Sequence, residues 1–173
     1  MKSKPLDQID LVILETLQSA GRTSNVDLAE RVGISAPPCL RRVRRLESIG
    51  AIQSYHATIA PDLLGYPVTA FTHVGLISQA EADLAAFESL TKSWAEVREC
   101  HMLMGEDDFL LKVVARTVDH YNSFITQHLT PAPNIKHVKS ALAIRTSFAK
   151  PGVPVDCEPK KSSAPLDSLP LRP

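Results

Sequence analysis

Residues 33–50, Gly-Ile-Ser-Ala-Pro-Pro-Cys-Leu-Arg-Arg-Val-Arg-Arg-Leu-Glu-Ser-Ile-Gly, place four arginines within five positions: Arg41, Arg42, Arg44 and Arg45. Guanidinium groups this close repel one another unless an anion lies opposite, and each planar fork matches a phosphate or the edge of guanine. A solvated helix face normally mixes signs at i,i+4 spacing. Here Arg41 has Arg45 as its i+4 neighbour, and no acid follows until Glu47. The expected chemistry is polyanion binding, with double-stranded DNA as the partner and Arg41, Arg42 and Arg45 as phosphate or guanine contacts.

Other reactive side chains give less. Gly105-Glu106-Asp107-Asp108 between two apolar runs reads as a hairpin turn, for which glycine and aspartate are ordinary. Among the six histidines no i,i+4 metal pair has a suitably placed carboxylate, and His120 and His128 are eight apart. No Ser/His/Asp or Cys/His context is visible, so neither catalysis nor a metal or other cofactor is expected. The three cysteines, Cys39, Cys100 and Cys157, lack CxxC or metal-ligand spacing and read as free thiols in a reducing cytoplasm.

The elements that must hold the arginines are short helices. Leu6, Ile9, Ile13 and Leu17 recur at three- and four-residue steps, predicting a helix over 6–20. Ser24 is placed to cap a second helix that Gly33 ends, with Asp27 as a capping-box partner. The basic segment is the third, with Ser35 as its cap, a prolyl pair in its first turn and Gly50 at its end. Leu40, Val43 and Leu46 form its expected apolar stripe. This spacing is that of a helix-turn-helix, whose recognition helix leads with its N-terminus, so Ser35, Ala36, Pro38 and Cys39 are expected near base edges. Ser24 and Asn25 open the second helix, where backbone N–H groups can hold a phosphate. Residues 51–59 favour strand and are expected to fold back as a wing.

After Pro61 and Gly65-Tyr66-Pro67 the pattern changes. Residues 68–76 alternate as a strand, and 81–90 read as a helix facing inward with Leu84, Phe87 and Leu90. A second strand spans 97–104, and a third spans 109–115, whose unbroken apolar run suggests burial on both faces. Thr117 caps a second helix that Pro131 and Pro133 stop. A fourth strand carries Val138, Ser140, Leu142, Ile144 and Phe148 on one face. The fold class is α+β: a winged helix-turn-helix over 1–60, a hinge at 61–67, a ferredoxin-like βαββαβ domain over 68–150, and a proline-rich flexible tail over 151–173.

Composition agrees with local docking. The formal net charge is zero, yet residues 1–60 carry eight Lys and Arg against six Asp and Glu, while residues 61–150 carry eight against ten. The positive field is concentrated at the third helix rather than spread over a basic coat. No segment has the length or character of a membrane span or signal peptide, so no membrane partner is expected.

Leu6-Asp-Gln-Ile-Asp-Leu-Val-Ile-Leu14, Asn25-Val-Asp-Leu-Ala29, Pro38-Cys-Leu-Arg-Arg-Val-Arg-Arg-Leu-Glu47, Gly105-Glu-Asp-Asp-Phe-Leu-Leu-Lys-Val113 and Arg145-Thr-Ser-Phe148 together resemble, in order, the helices, effector-domain turn and closing strand of the Lrp/AsnC, or feast/famine, transcription regulators. The resemblance runs from about Leu6 to Phe148. It implies a homodimer assembling further into a ring, often an octamer, and a small-molecule effector, an amino acid in the first place, bound between dimers near the turn. His101, Leu103, Met104, Gly105, Glu106, Asp107, Asp108, Thr146 and Ser147 are the effector-lining residues it implies. A carboxylate there, beside backbone N–H and C=O groups, would hold the ammonium of an amino acid. Three positions depart from the pattern: Ser54 replaces a glycine, Ala60 an aspartate, and Asp107 an aromatic residue. The last puts an acid into the effector turn itself. Two other readings share parts of this architecture. One is a sirohaem-decarboxylase-like enzyme, which needs no basic recognition helix; the other is a low-specificity, chromatin-like architectural protein.

Overall fold

The computed structural model describes residues 5–156. The described residues form two compact units, one built from residues 5–57 and 149–156, the other from residues 58–148.

The first unit holds three helices: α1 (Gln8–Ser19), α2 (Asn25–Val32) and α3 (Ala36–Ser48). Asp7 caps α1 in a capping box with Asp10, each carboxylate accepting the other residue's backbone N–H. Ser24 caps α2 by accepting from Asp27 N, and Gly33, at φ 71°, turns the chain sharply into α3. Ser35 sits at the cap position of α3, but its hydroxyl makes no cap bond. Pro37 and Pro38 lack the N–H groups such a cap would serve. Ile13, Leu28, Ala29, Cys39 and Leu46 make the core of this unit.

Two expectations are corrected here. The inward stripe of α3 is Cys39, Val43 and Leu46, because Leu40 keeps 38% of its surface exposed whereas Cys39 keeps none. Residues 51–60 contain no strand. A strand needs a hydrogen-bonding partner, and the described residues supply none to this segment; instead Tyr55 donates its hydroxyl to Glu47 Oε1 at 3.0 Å.

The segment after residue 149 also departs from the expected flexible tail. Gln18 Nε2 donates to Val153 O at 2.7 Å, and Val153 N donates back to Gln18 Oε1 at 3.0 Å. Gly152 permits this approach: its φ is +65°, and a Cβ there would lie 1.9 Å from Gln18 Oε1. The rest of the expected tail, 157–173, lies outside the described residues.

The second unit is a four-stranded antiparallel sheet in the order β2-β3-β1-β4. Its strands are β1 (Val68–Leu76), β2 (Val97–Met102), β3 (Phe109–Ala115) and β4 (Ile135–Leu142), with α4 (Glu81–Ser93) and α5 (Val118–Phe124) between them. This is the ferredoxin-like arrangement. One sheet face packs Ala70, Val74, Leu76, Phe109, Leu111 and Val113 against Phe87 of α4, Tyr121 and Phe124 of α5, and Leu129. The Tyr121 hydroxyl bonds Thr72 Oγ1 at 2.8 Å and Ser140, so the buried polar groups of that face are satisfied.

β3 is not buried on both faces. Its burial alternates along the strand, because only one face of the sheet is covered and Leu110, Lys112 and Val114 stand on the other. β4 stops at Leu142 rather than running to Phe148. With Ala70 opposite Leu142, the residue opposite position 145 would be Pro67, which has no N–H to give. Ile144 and Phe148 are consequently exposed at 101% and 80%.

Candidate functional site

The arginine helix divides its charges unequally. Arg41 and Arg44 are exposed, and they have no hydrogen-bond or ion-pair partner among the described residues. Arg42 and Arg45 are half-buried and turn back onto α1. Arg42 Nη1 lies 2.8 and 2.7 Å from the two Asp7 oxygens and 2.9 Å from Asp10 Oδ1. Arg45 Nη2 bonds Asp10 Oδ2. Asp10 is fully buried, so its charge is held by these two guanidinium groups and the Asp7 amide. Burial pushes the Asp7 carboxyl up, but the Arg42 and Asp10 N–H bonds outweigh it and hold it below its ordinary value. The Arg42 guanidinium is correspondingly raised by its bonds to Asp7 and then Asp10.

The anion opposite Arg42 and Arg45 is thus in the first instance protein. Reading α3 alone for acids missed it. The signal was present in Asp10, which falls among the apolar positions of α1 three residues before the buried Ile13, where a carboxylate requires a cation. A recess of about 380 Å³ lies beside this network, lined by Asp7, Pro38, Arg41, Arg42 and Arg45.

The other expected interface residues sort by exposure. Ser35 is exposed and Pro38 half-buried in the recess. Ala36 packs against the core, and its carbonyl accepts from Asn25 Nδ2 at 2.9 Å, which ties the start of α2 to the start of α3. Ser24 Oγ donates to Asp27 Oδ2 at 2.6 Å. Cys39 is fully buried, and burial raises its thiol pKa, so its side chain packs the core instead of facing a base edge.

At the turn between β2 and β3 the three acids face three ways. Asp108 turns inward: its Oδ2 accepts Leu76 N at 2.6 Å and its Oδ1 accepts Gln79 Nε2 at 2.7 Å, pinning the turn to the end of β1. Asp107 lies on the uncovered sheet face beside two imidazoles and an ammonium. His137 Nε2 is 2.7 Å from Oδ1, Lys139 Nζ is 3.3 Å from Oδ1, and His73 Nδ1 is 3.2 Å from Oδ2. Glu106 accepts from Lys139 Nζ at 2.9 Å. All three carboxylates thus have partners within the chain, while Glu106 stays exposed to solvent. The His137 bond, and after it Lys139, holds the Asp107 carboxyl below its ordinary value against the opposing effect of burial.

Gly75 makes the His137 contact possible, since a Cβ there would lie 2.2 Å from His137 Cε1. Gly75→Ala is therefore expected to eject the imidazole, and the Asp107 titration followed by carboxyl ¹³C NMR should move up toward the ordinary aspartate value. An unchanged titration would count against the contact. The sign follows from linkage: a depressed folded-state pKa contributes stability above the unfolded value and loses it as pH falls through the folded one, so the variant should differ from the parent above that window and converge with it in acid.

His101 stands exposed on β2, with Nε2 3.2 Å from Glu99 Oε2. Leu103 N donates to Asp108 O at 2.8 Å, while Met104, Gly105 and Glu106 are exposed at the tip. Thr146 and Ser147 lie beyond β4 in exposed, irregular chain, and no contact among the described residues brings them to the turn. Sequence reasoning missed His73, Gln79, His137 and Lys139 because strand pairing brings them to the turn, the first two through the pairing of β1 with β3 and the last two through that of β1 with β4.

Comparison with known proteins assigns both units. Residues 6–53 match a family described as winged helix-turn-helix DNA-binding, and residues 69–153 match the Lrp/AsnC ligand binding domain. The chain is 51% identical to a leucine-responsive regulatory protein of Rhizobium meliloti, over 81% of this chain and 90% of the relative. It is 38% identical to a Bkd operon transcriptional regulator of Pseudomonas aeruginosa, over 87% and 98%. A transcriptional regulator from Neisseria meningitidis, solved as an L-Met complex, superimposes with a TM-score of 0.82 at 30% identity, over 88% of this chain and 98% of that one. The helix-turn-helix unit, the ferredoxin-like unit and these matches lead to one assignment: the chain belongs to the Lrp/AsnC family of DNA-binding transcriptional regulators.

Proposed function

We propose that the protein is a sequence-specific regulator whose DNA binding responds to an amino acid or a closely related metabolite. The observation that carries the DNA contact is the pair of exposed, unpartnered guanidinium groups on α3, Arg41 and Arg44, on the helix side opposite the Cys39–Val43–Leu46 stripe. They meet phosphate or guanine, while Ser35 and Pro38 at the start of α3 lie toward the bases. The side chains of Ser24 and Asn25 are committed to holding α2, so their contribution is the free amides of its first turn, which can hold a phosphate. Arg42 and Arg45 position α3 on α1. The protein works where the chromosome is, in the cytoplasm.

The effector reading draws on the ligand-binding-domain match and on the relatives, one named leucine-responsive and one bound to L-Met. The partnered carboxylates of Asp107 and Asp108 leave the exposed Glu106 and the backbone groups of residues 104–106 as the polar surface for such a ligand. The uncovered sheet face carries Phe71, Leu110 and Val114 around the Lys112–Glu99 ion pair, which suits pairing with a second copy. A single module of this size covers little DNA, so dimers, and rings of dimers up to octamers, supply the avidity. An effector acts by favouring one assembly state over another.

The test is a gel-shift titration of the full chain on its own upstream fragment and on an unrelated fragment of equal length, with the twenty amino acids added as a mixture and then singly. Preferential shifts altered by one amino acid are expected. Equal shifts on both fragments would replace this reading with low-specificity architectural binding, and shifts indifferent to every amino acid would remove the effector.

A further inference from the structure

We infer that Asp7 and Asp10 set the strength of DNA binding: by occupying Arg42 and Arg45 they withhold half of the recognition helix's cationic charge from phosphate contact. The inference rests on the reading of α3 as the DNA-binding helix.

Three observations carry it. First, the four arginines of α3 fall into two states, two exposed without partners among the described residues and two bound to α1. Second, the carboxylates are the fixed members of the network. Asp10 is fully buried, and the two acids hold each other's backbone N–H at 3.0 Å in the capping box, whereas Arg42 and Arg45 each keep 29% of their side chains exposed. A long side chain with that access can swing to solvent once its anion is removed. Third, Arg42, Arg45 and the free Arg41 line one recess, with Asp7 beside them at 40% exposure. A phosphate approaching Arg41 there meets a carboxylate as well as guanidinium groups.

The physical consequence is a lower affinity for every duplex. Sequence-independent affinity grows with the number of phosphates neutralised, because each releases condensed counterions. An arginine already paired with a carboxylate adds nothing to that count until the pair is broken. Holding back two arginines therefore weakens binding to any duplex and flattens its salt dependence, by the same factor on specific and unrelated sequence, while leaving base-edge contacts from the start of α3 intact.

The experiment uses the full chain carrying Asp7→Asn, Asp10→Asn or Asp7→Glu. Binding to an unrelated duplex and to the chain's own upstream duplex is measured by fluorescence anisotropy between about 50 and 200 mM salt, and folding is followed by thermal melting. Asp7→Asn leaves Arg42 only Asp10 Oδ1, at 2.9 Å, so it is expected to bind the unrelated duplex more tightly by up to about eightfold per module at 0.1 M salt, with a salt slope steeper by up to about 0.9. Affinity for the chain's own upstream duplex rises by the same factor. Asp10→Asn moves both quantities further in the same direction. Asp7→Glu restores the parental slope, because a carboxylate is again present.

A purely structural role gives the opposite pattern, with weaker binding to both duplexes, a lowered melting temperature and no steepening. That pattern, or a folded Asp7→Asn protein with parental affinity and slope on unrelated DNA, overturns the inference while leaving the DNA reading standing. Should Asp10→Asn fail to fold, Asp7→Asn decides alone, since Asp7 lies at the surface and Asp10 remains in place. A parent protein that binds neither duplex overturns the DNA reading itself and this inference with it.

Discussion

Replacing Arg41 and Arg44 together by alanine is expected to weaken binding to duplex DNA by about 60-fold per module at 0.1 M salt and to flatten its salt slope by about 1.8. The fold should be untouched, because both side chains are exposed and unpartnered among the described residues. Arg42→Ala should behave in the reverse manner. It takes two Asp7 contacts and one Asp10 contact from the α1–α3 network and leaves a fully buried carboxylate short of a cation. A stability loss of about 2 kcal/mol follows, less than for a fully buried pair because Arg42 retains solvent access. Anisotropy against salt and urea unfolding of the same two variants separate these roles. If the Arg41/Arg44 variant kept the parental slope, α3 would not be the phosphate-contacting helix.

The second large effect lies at the turn between β2 and β3. Asp108→Ala is expected to cost about 3–5 kcal/mol in urea unfolding, because two hydrogen bonds to a charged acceptor disappear and Leu76 N is left buried without a partner. Asp108 N itself donates to Val74 O at 2.9 Å and Asp108 O accepts from Leu103 N at 2.8 Å, so loosening this residue loosens both strands that flank the turn. Asp107→Ala, on the uncovered face, should lower the Lys139 ammonium pKa, which its bonds to Glu106 and then Asp107 raise, while changing stability little. A loss below about 1 kcal/mol for Asp108→Ala would show that the inward carboxylate is not what fixes the turn.

Much of this was legible in the sequence, for physical reasons that differ by element. The three helices of the first unit carry their own start and stop chemistry, Asp7, Ser24 and Gly33, and so can be read locally. β1 alternates because one face meets a core, whereas the apolar residues on both faces of β3 concealed the same alternation. What could not be read locally is what depends on a partner distant in the chain. Residues 51–59 and 143–148 have strand-forming composition, but a ladder needs a free backbone opposite, and Pro67 withholds it from the second of these. On α3, helical spacing alone could not decide between Cys39 and Leu40 for the inward stripe, because both are apolar and adjacent. Packing against Ile13 and Leu28 decided it.

The arginine cluster shows the same limit most sharply. Its composition correctly signals a need for anions, but the supply of anions is tertiary. Asp7 stands 35 residues before Arg42, and Asp10 stands 32 and 35 residues before Arg42 and Arg45. The acidic turn repeats the lesson, since the imidazoles and the ammonium around Asp107 come from β1 and β4. In both places a run of like charge reads as a binding site, and in both the fold has already answered part of that charge from within.

The most direct test is equilibrium binding of the full chain to duplex DNA from upstream of its own coding sequence, followed by anisotropy across about 50–200 mM salt. Saturable binding is expected, with log Kobs falling linearly with log salt and an affinity at least about 10³ above that for an unrelated duplex of equal length. Absence of saturable binding at the lowest salt would contradict the assignment of α3 as a DNA-binding helix.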